Sequence, residues 1–171
     1  MTAMKKHLLF LAFVGTIAVL PLFSMGQVSA TPASVKVTGE VTTPLTITDT
    51  SLQKYTQVTV VRKGKDGKDY TYKGVLLSDI LQKAGATMGP ELKGKNLTKY
   101  LLIKAADGYQ VVFALAELDK AFTDRMIILC NNVDGKPLPA GEGPFRIIVQ
   151  DEKKPARCIR EVTDMVVMTP K

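Results

Sequence analysis

The stretch TYKGVLLSDILQKAGA, residues 71–86, contains a change from strand to helix that decides the fold. It opens inside a β-branched and aromatic run, residues 70–73, which favours a strand. Four apolar side chains then recur at the spacing i, i+3, i+4 and i+7: Leu77, Ile80, Leu81 and Ala84. This spacing places them on one face of a helix, and Gly85 follows where that helix needs a left-handed cap. The stretch therefore predicts a short amphipathic helix directly after a strand.

Short runs rich in Val, Ile, Thr and Tyr make up most of the chain outside this stretch, and such runs favour strands. The predicted strands are residues 35–38, 45–48, 57–62, 70–73, 100–104, 110–114, 126–130, 145–150 and 159–168. Asp66-Gly67 and Asp107-Gly108 lie between such runs and predict hairpins. Residues 114–122 are a weaker helix candidate. Strands with a few interspersed short helices predict an α+β domain rather than a βαβ alternation.

The N-terminal residues have the pattern of an export signal. Lys5 and Lys6 precede an apolar run over residues 8–23, and Val28-Ser29-Ala30 offers small residues for cleavage. An uncleaved anchor is the alternative, but the run is shorter than the ~20 residues that span a bilayer. We therefore predict cleavage near Thr31, export to the periplasm and no membrane span in the mature protein. The predicted parts are a signal peptide over 1–30, N-terminal strands over 31–54 and the main domain over 55–171.

The composition excludes several kinds of chemistry. The only histidine among the 171 residues is His7, which lies in the predicted signal peptide. The mature protein would therefore lack a Ser-His or Cys-His nucleophile pair and any His-ligated zinc or iron site. Enzymatic chemistry would have to come mainly from a cofactor. The formal net charge of +7 falls to +5 once Lys5 and Lys6 are removed with the signal. This remaining charge is spread over Lys-rich turns and indicates solubility rather than a nucleic-acid partner.

Three arginines lie near the starts of two predicted strands: Arg146, Arg157 and Arg160. If the two strands are neighbours, the guanidinium groups could converge on a planar or anionic ligand. The alternative is that they form ion pairs with nearby carboxylates, namely Asp151, Glu152 and Glu161. The spacing by itself favours the ion pairs.

Two further positions have more than one interpretation. Asp107 at a predicted hairpin tip could accept hydrogen bonds from a ligand and Tyr109 could stack on it, although Asp-Gly is also an ordinary turn sequence. Cys130 and Cys158 could be joined by a disulfide, be buried thiols, or include one metal ligand. In an exported chain with 2 cysteines the disulfide comes first.

Taken together, several motifs resemble the oxidoreductase molybdopterin-binding domain, which has the sulfite oxidase fold. The motifs are YKGVLLSDIL (72–81), AG (84–85), DGY (107–109), DGKPL (134–138), GPFR (143–146) and RCIR (157–160). Their order and spacing match over roughly residues 55–168. The resemblance implies a strand-rich α+β domain with mixed sheets and a pterin pocket between loops.

The resemblance also implies roles for individual residues. Arg146, Arg157 and Arg160 become pocket candidates, with Arg146 and Arg160 holding the oxygen or phosphate edge of the pterin. Asp107 would accept hydrogen bonds from the 2-amino and ring N–H groups. Tyr109 would form a wall beside the ring.

One departure from the family pattern bears on catalysis. Catalytic members bind molybdenum through a cysteine thiolate on the strand before the helix, and residues 57–62 contain no cysteine. Neither Cys130 nor Cys158 occupies the matching position, so molybdenum is not expected.

The short exported chain resembles stand-alone periplasmic pterin-binding proteins, some of which act as ligand-dependent partners of membrane signalling proteins. We therefore expect a non-catalytic pterin-binding protein of this kind. One alternative is a small molybdopterin-dependent oxidoreductase subunit. Another is an adaptor that has kept the fold and lost the pocket.

Overall fold

The computed structural model describes residues 33–170, so the predicted signal peptide lies outside the described part. These residues form ten strands and two α-helices, joined by turns and short 3-10 segments. The strands are β1 (Ser34–Gly39), β2 (Leu45–Thr48), β3 (Val58–Lys63), β4 (Asp69–Leu76), β5 (Tyr100–Ala105), β6 (Gln110–Ala114), β7 (Ile127–Val133), β8 (Lys136–Pro137), β9 (Arg146–Val149) and β10 (Val162–Met168). The helices are α1 (Asp49–Leu52) and α2 (Leu77–Ala84). The α+β prediction is confirmed.

The first sheet has five strands in the order β2-β1-β10-β5-β6. β1 and β10 are parallel, with Val37 opposite Met165, and the other pairs are antiparallel. β10 therefore lies at the centre of a mixed sheet, beside β1. Strands β1 and β2, which fall in the predicted N-terminal segment 31–54, are integral to this sheet.

The second sheet has the order β3-β4-β7-β8, and β9 also pairs with β7. In the pairing of β7 with β9, Cys130 lies opposite Arg146. All four residues of β9 are buried, as expected for a strand that is covered on both faces. This strand brings Arg146 into the interior of the domain.

Helix α2 forms as its spacing predicts. Leu77, Ile80, Leu81 and Ala84 are all fully buried in the core, and the predicted left-handed cap is present because Gly85 has a φ of 72°. An added Cβ on Gly85 would also lie 1.7 Å from Thr42 Oγ1. Glycine is therefore required here by both backbone conformation and space.

Two predicted elements differ from the structure. Residues 114–122 contain only the 3-10 turn Leu115–Glu117, because the Asp119 carboxylate accepts hydrogen bonds from the N–H groups of Gly89 and Ala121. Such side-chain bonds to the backbone compete with a helix. The last strand begins at Val162 rather than at residue 159, since Glu161 has a φ of 48° and interrupts the extended chain.

No helix within residues 33–170 combines the length and the apolar character that crossing a bilayer requires.

Gly74 lies at the shift in register between β4 and β7, where the β7 backbone comes close to it. A Cβ at this position would lie 2.3 Å from Leu129 O and 2.7 Å from Cys130 Cα. We predict that Gly74→Ala lowers the free energy of unfolding by roughly 1–3 kcal/mol, because the two strands must separate to accept a methyl group. Chemical denaturation measures the loss.

The matched control for this substitution is Lys73→Ala, on the neighbouring exposed position of β4. It should change the free energy of unfolding by no more than about 0.5 kcal/mol. Equal effects of the two substitutions would contradict the close approach at Gly74.

Candidate ligand-binding site

Three connecting segments meet beside the first sheet: the β5–β6 hairpin tip, the loop before β9 and the segment between β9 and β10. The N–H of Ala106 donates to Glu161 O at 3.0 Å, and the N–H of Glu161 donates to Glu142 O at 3.3 Å. The Tyr109 hydroxyl donates to Ala156 O at 3.1 Å. These contacts bring the DGY, GPFR and RCIR motifs to one region of the surface.

Arg146 and Arg160 converge, and both bind the carboxylate of Glu142. Arg160 Nη2 lies 3.2 Å from Glu142 Oε1, and Arg146 Nη1 donates to Glu142 Oε2. Arg146 is buried, with 7% of its surface exposed, whereas the Arg160 side chain is 55% exposed. The predicted convergence is therefore present for these two arginines, with a carboxylate between them.

Arg146 has a second neighbour in Tyr72 of β4. Its Nη1 lies 3.5 Å from the Tyr72 hydroxyl, and its guanidinium carbon lies 5.5 Å from the centre of the Tyr72 ring. Burial raises the pKa of Tyr72, although the charge of Arg146 opposes this shift. Arg146 Nε is buried and has no hydrogen-bond partner among the described residues. The Nε–H of this buried guanidinium is therefore a donor without an acceptor among the described residues.

Arg157 belongs to a different ion-pair group. Its Nε donates to Glu152 Oε1 at 2.9 Å, and its Nη1 lies 3.2 Å from Glu117 Oε1. The guanidinium also lies over the Phe113 ring, 4.6 Å from its centre. Burial would lower the pKa of Arg157, but its bonds to the two carboxylates raise it overall. Arg157 is therefore anchored away from the carboxylate that Arg146 and Arg160 share.

The hairpin tip holds Asp107 and Tyr109 at the exposed side of the site. Asp107 Oδ1 accepts a hydrogen bond from the N–H of Tyr109 at 2.9 Å, which is the turn role that its sequence also allowed. Tyr109 is 49% exposed, so part of its ring is free to contact a ligand. The Tyr109 ring at the tip is thus placed so that it can cover one side of a flat ligand.

The two cysteines are free thiols in the structure, and the disulfide expected between Cys130 and Cys158 is absent. Each sulfur is accommodated separately: Cys130 lies opposite Arg146, whereas Cys158 Sγ accepts from the N–H of Val149, three residues further along β9. Burial raises the pKa of Cys130 to about 12. The interpretation as buried thiols fits this arrangement.

Sequence reasoning missed the acidic partners of the arginines in all but one case. Glu152 was expected and pairs with Arg157, but neither Asp151 nor Glu161 is among the ion pairs of residues 33–170. Glu142 stands in the same GEGPFR segment as Arg146, four residues before it, which was the available signal. Glu117 is far from Arg157 in the sequence, so no local pattern indicated that the two would pair.

Arg62 of β3 is a further residue that the sequence did not single out. Its Nη1 donates to Val149 O at 2.7 Å and its Nη2 donates to Glu152 O at 2.6 Å. These two bonds tie β3 to the turn after β9, which carries Glu152. Arg62 therefore positions one of the carboxylates that hold Arg157.

Two clefts lie beside residues 116–127 rather than at the Arg146–Arg160 pair. One, of about 200 Å³, is lined by residues that include Ser78, Lys120 and Arg125. The other, of about 360 Å³, is lined in part by Glu117 and Phe122. The second cleft adjoins the Arg157 group through Glu117.

The donor groups of the site suit an organic ligand better than a metal ion. Guanidinium donors, carboxylate acceptors and a half-exposed aromatic ring match the mixed polar edge and flat face of a heterocycle. Across the described residues, no three His, Cys, Asp or Glu side chains group closely enough to hold a metal ion.

Comparison with known proteins identifies a matching family and similar solved structures. A family model described as oxidoreductase molybdopterin binding domain matches residues 24–169. The crystal structure of sulfane dehydrogenase SoxCD from Paracoccus pantotrophus is similar, with a TM-score of 0.60 and 18% sequence identity. The match covers 81% of this chain and 38% of that chain, so this chain spans less than half the length of that relative. The likeness confirms the predicted sulfite-oxidase-like fold.

No curated protein sequence matches the chain.

The buried thiols give a direct test of the cysteine assignment. We predict that the denatured protein, without reductant, reacts with a thiol reagent at two positions per chain, whereas the native protein reacts far more slowly at pH 7–8. Burial excludes the reagent, and the raised pKa of Cys130 leaves little of the reactive thiolate. Absorbance of the released chromophore counts the thiols.

Cys130→Ala is the control, because it should leave one reactive thiol in the denatured chain. Denatured wild-type protein that shows no free thiol until reductant is added would establish the disulfide instead.

Proposed function

Because the chain belongs to the oxidoreductase molybdopterin binding domain family, we propose that it binds a pterin between the hairpin tip and the two arginine-bearing segments, without turnover at a metal. The family indicates a molybdopterin-type ligand. The observation that carries the proposal is the convergence of Arg146 and Arg160 from separate segments on one point.

The described side chains offer distinct contacts to such a ligand. Arg160 is the exposed member of the arginine pair and would donate to an oxygen or ring nitrogen of the pterin. Tyr109, half-exposed at the hairpin tip, would cover one face of the ring. Asp107 would contribute at the outer edge, where it already orders the turn.

Three observations support binding rather than redox turnover. Strand β3 carries no cysteine, and the single histidine is His7. Both cysteines are buried, and the raised pKa of Cys130 favours its protonated form. A cysteine coordinates a metal as its thiolate, which burial disfavours at Cys130.

We also propose that the protein acts in the periplasm as a ligand-dependent partner of a membrane signalling protein. The lysines, apolar run and Val28-Ser29-Ala30 sequence at the N-terminus support export. The position of the candidate site on connecting segments supports a signalling role, because a ligand bound there would order surface loops that a partner could contact.

Arg160→Ala tests the pterin proposal. We predict that this substitution lowers the affinity for reduced or oxidised pterins at least tenfold, because a charge-assisted hydrogen bond contributes about 1.5–3 kcal/mol. The exposed position should leave the fold intact. Calorimetric titration of the protein, with thermal unfolding as a check on folding, measures the change.

Lys65→Ala is the control, since Lys65 is an exposed basic residue in the turn between β3 and β4 and lines neither cleft. It should bind pterin like the wild type. Absence of heat and of any thermal shift for the wild-type protein at millimolar pterin would sink the proposal.

A small molybdopterin-dependent oxidoreductase subunit is the second candidate, which the family description itself favours. The two candidates differ in metal content. We predict molybdenum far below one equivalent in protein isolated from its native compartment, as measured by inductively coupled plasma mass spectrometry. Molybdenum near one equivalent would favour the enzyme.

A further inference from the structure

The first sheet has one face turned into the core and one outer face. Met165 and Val167 of β10 point into the core and are buried. The alternating positions on the outer face, Asp164, Val166 and Met168, are partly exposed. A sheet with one solvated face normally carries polar residues on that face. The outer face departs from this pattern, because two of these three side chains are apolar.

The strand register groups the outer side chains into rows that cross the sheet. One row is apolar over three neighbouring strands, since Val166 of β10 lies opposite Leu102 of β5, which lies opposite Val112 of β6. Val112 is 51% exposed. The next row adds Met168 opposite Tyr100. Together these five side chains form a continuous apolar patch, and such patches often mark interaction surfaces.

A third row, on the other side of the apolar one, carries charges. Lys104 of β5 lies directly opposite Asp164 of β10, and Lys36 of β1 lies opposite Asp164 on its other side. None of the three takes part in an ion pair within residues 33–170. Their charges are therefore available to a second molecule that covers the patch.

The rows are complementary to themselves. Because β5 and β10 are neighbours, a two-fold axis parallel to the strands and midway between them would place β10 of one copy over β5 of another. Rotation about this axis keeps each row at its own height. Asp164 would face Lys104 of the second copy, and Val166 would face Leu102 of the second copy. Each contact would occur twice, as in an isologous interface, and the strands would be aligned as in stacked sheets.

We propose that the outer face of the first sheet is the interface of a homodimer, with a second copy of this chain as its occupant. A strand spacing of about 4.8 Å and a residue spacing of about 3.3 Å make the patch roughly 20 Å on a side. This area is at the small end of specific interfaces, so the dimer is weak and reversible. The inference does not rest on pterin binding, because the rows contain no residue of the candidate ligand-binding site.

The arrangement has a consequence for the candidate ligand-binding site. The β5–β6 hairpin carries the outer face on its strands and holds Asp107 and Tyr109 at its tip. Because the two-fold axis would run parallel to these strands, both hairpin tips would lie at the same end of the dimer. The dimer would therefore present its two candidate sites in the same direction.

Charge reversal tests the arrangement, with sedimentation equilibrium as the measurement. We expect the wild type to pass from monomer to dimer between about 10 μM and 1 mM. Asp164→Lys leaves two lysines in the centre of the charged row, and Lys104→Asp leaves two aspartates. Each variant alone should dimerise at least about tenfold more weakly, because like charges then face each other. An equimolar mixture of the two variants should regain the dimer, since lysines then face aspartates.

Lys73→Asp and Glu91→Lys are the matched controls, because they make the same charge changes at exposed positions outside the outer face. Both should dimerise like the wild type. A wild type that stays monomeric at every concentration, or an undiminished dimer in either reversal variant, would overturn the proposal. So would reversal variants that remain monomeric when mixed. Misfolding cannot imitate the expected result, because misfolded chains would not regain the dimer on mixing.

Discussion

A guanidinium group in the interior is the constraint around which the site is organised. Arg146 enters the core on β9, a strand that is buried along its whole length, and a buried charge must find a partner. Glu142 supplies the opposite charge, and the Tyr72 ring and hydroxyl lie beside it from the neighbouring part of the second sheet. The loop before β9 is thereby fastened to the core, and Arg160 is drawn to the same carboxylate.

The Arg146–Arg160 pair and Arg157 connect the candidate site to different parts of the fold. Glu142 belongs to the loop that leads into β9, while Glu152 lies in the turn that leaves it, where Arg62 holds the backbone. The segment between β9 and β10 is therefore held at both ends by charged contacts. These side-chain contacts fasten the segment to the loop before β9 and to β3.

The features predicted from the sequence are those that depend on residues close together in the chain. Helix α2 and its cap at Gly85 follow from periodicity and one glycine, and the hairpin at Asp107 follows from the turn sequence, because all these contacts join residues close in the chain. The partner of Arg160 could not be predicted in this way. Its contact with Glu142 depends on which strands are neighbours, and the uniformly buried β9 shows no alternation of apolar and polar residues that would indicate which way each face is turned.

The parallel pairing of β1 with β10 sets an order of events during biosynthesis. Thr38 lies opposite Val166, so an early segment of the chain and a late one share the centre of the first sheet. Closing so long a loop is slow and entropically costly, and β1 has no partner on that side until β10 has been made. The first sheet therefore cannot close before synthesis reaches the last strand, so the docking of β1 is a late step in the folding of this chain.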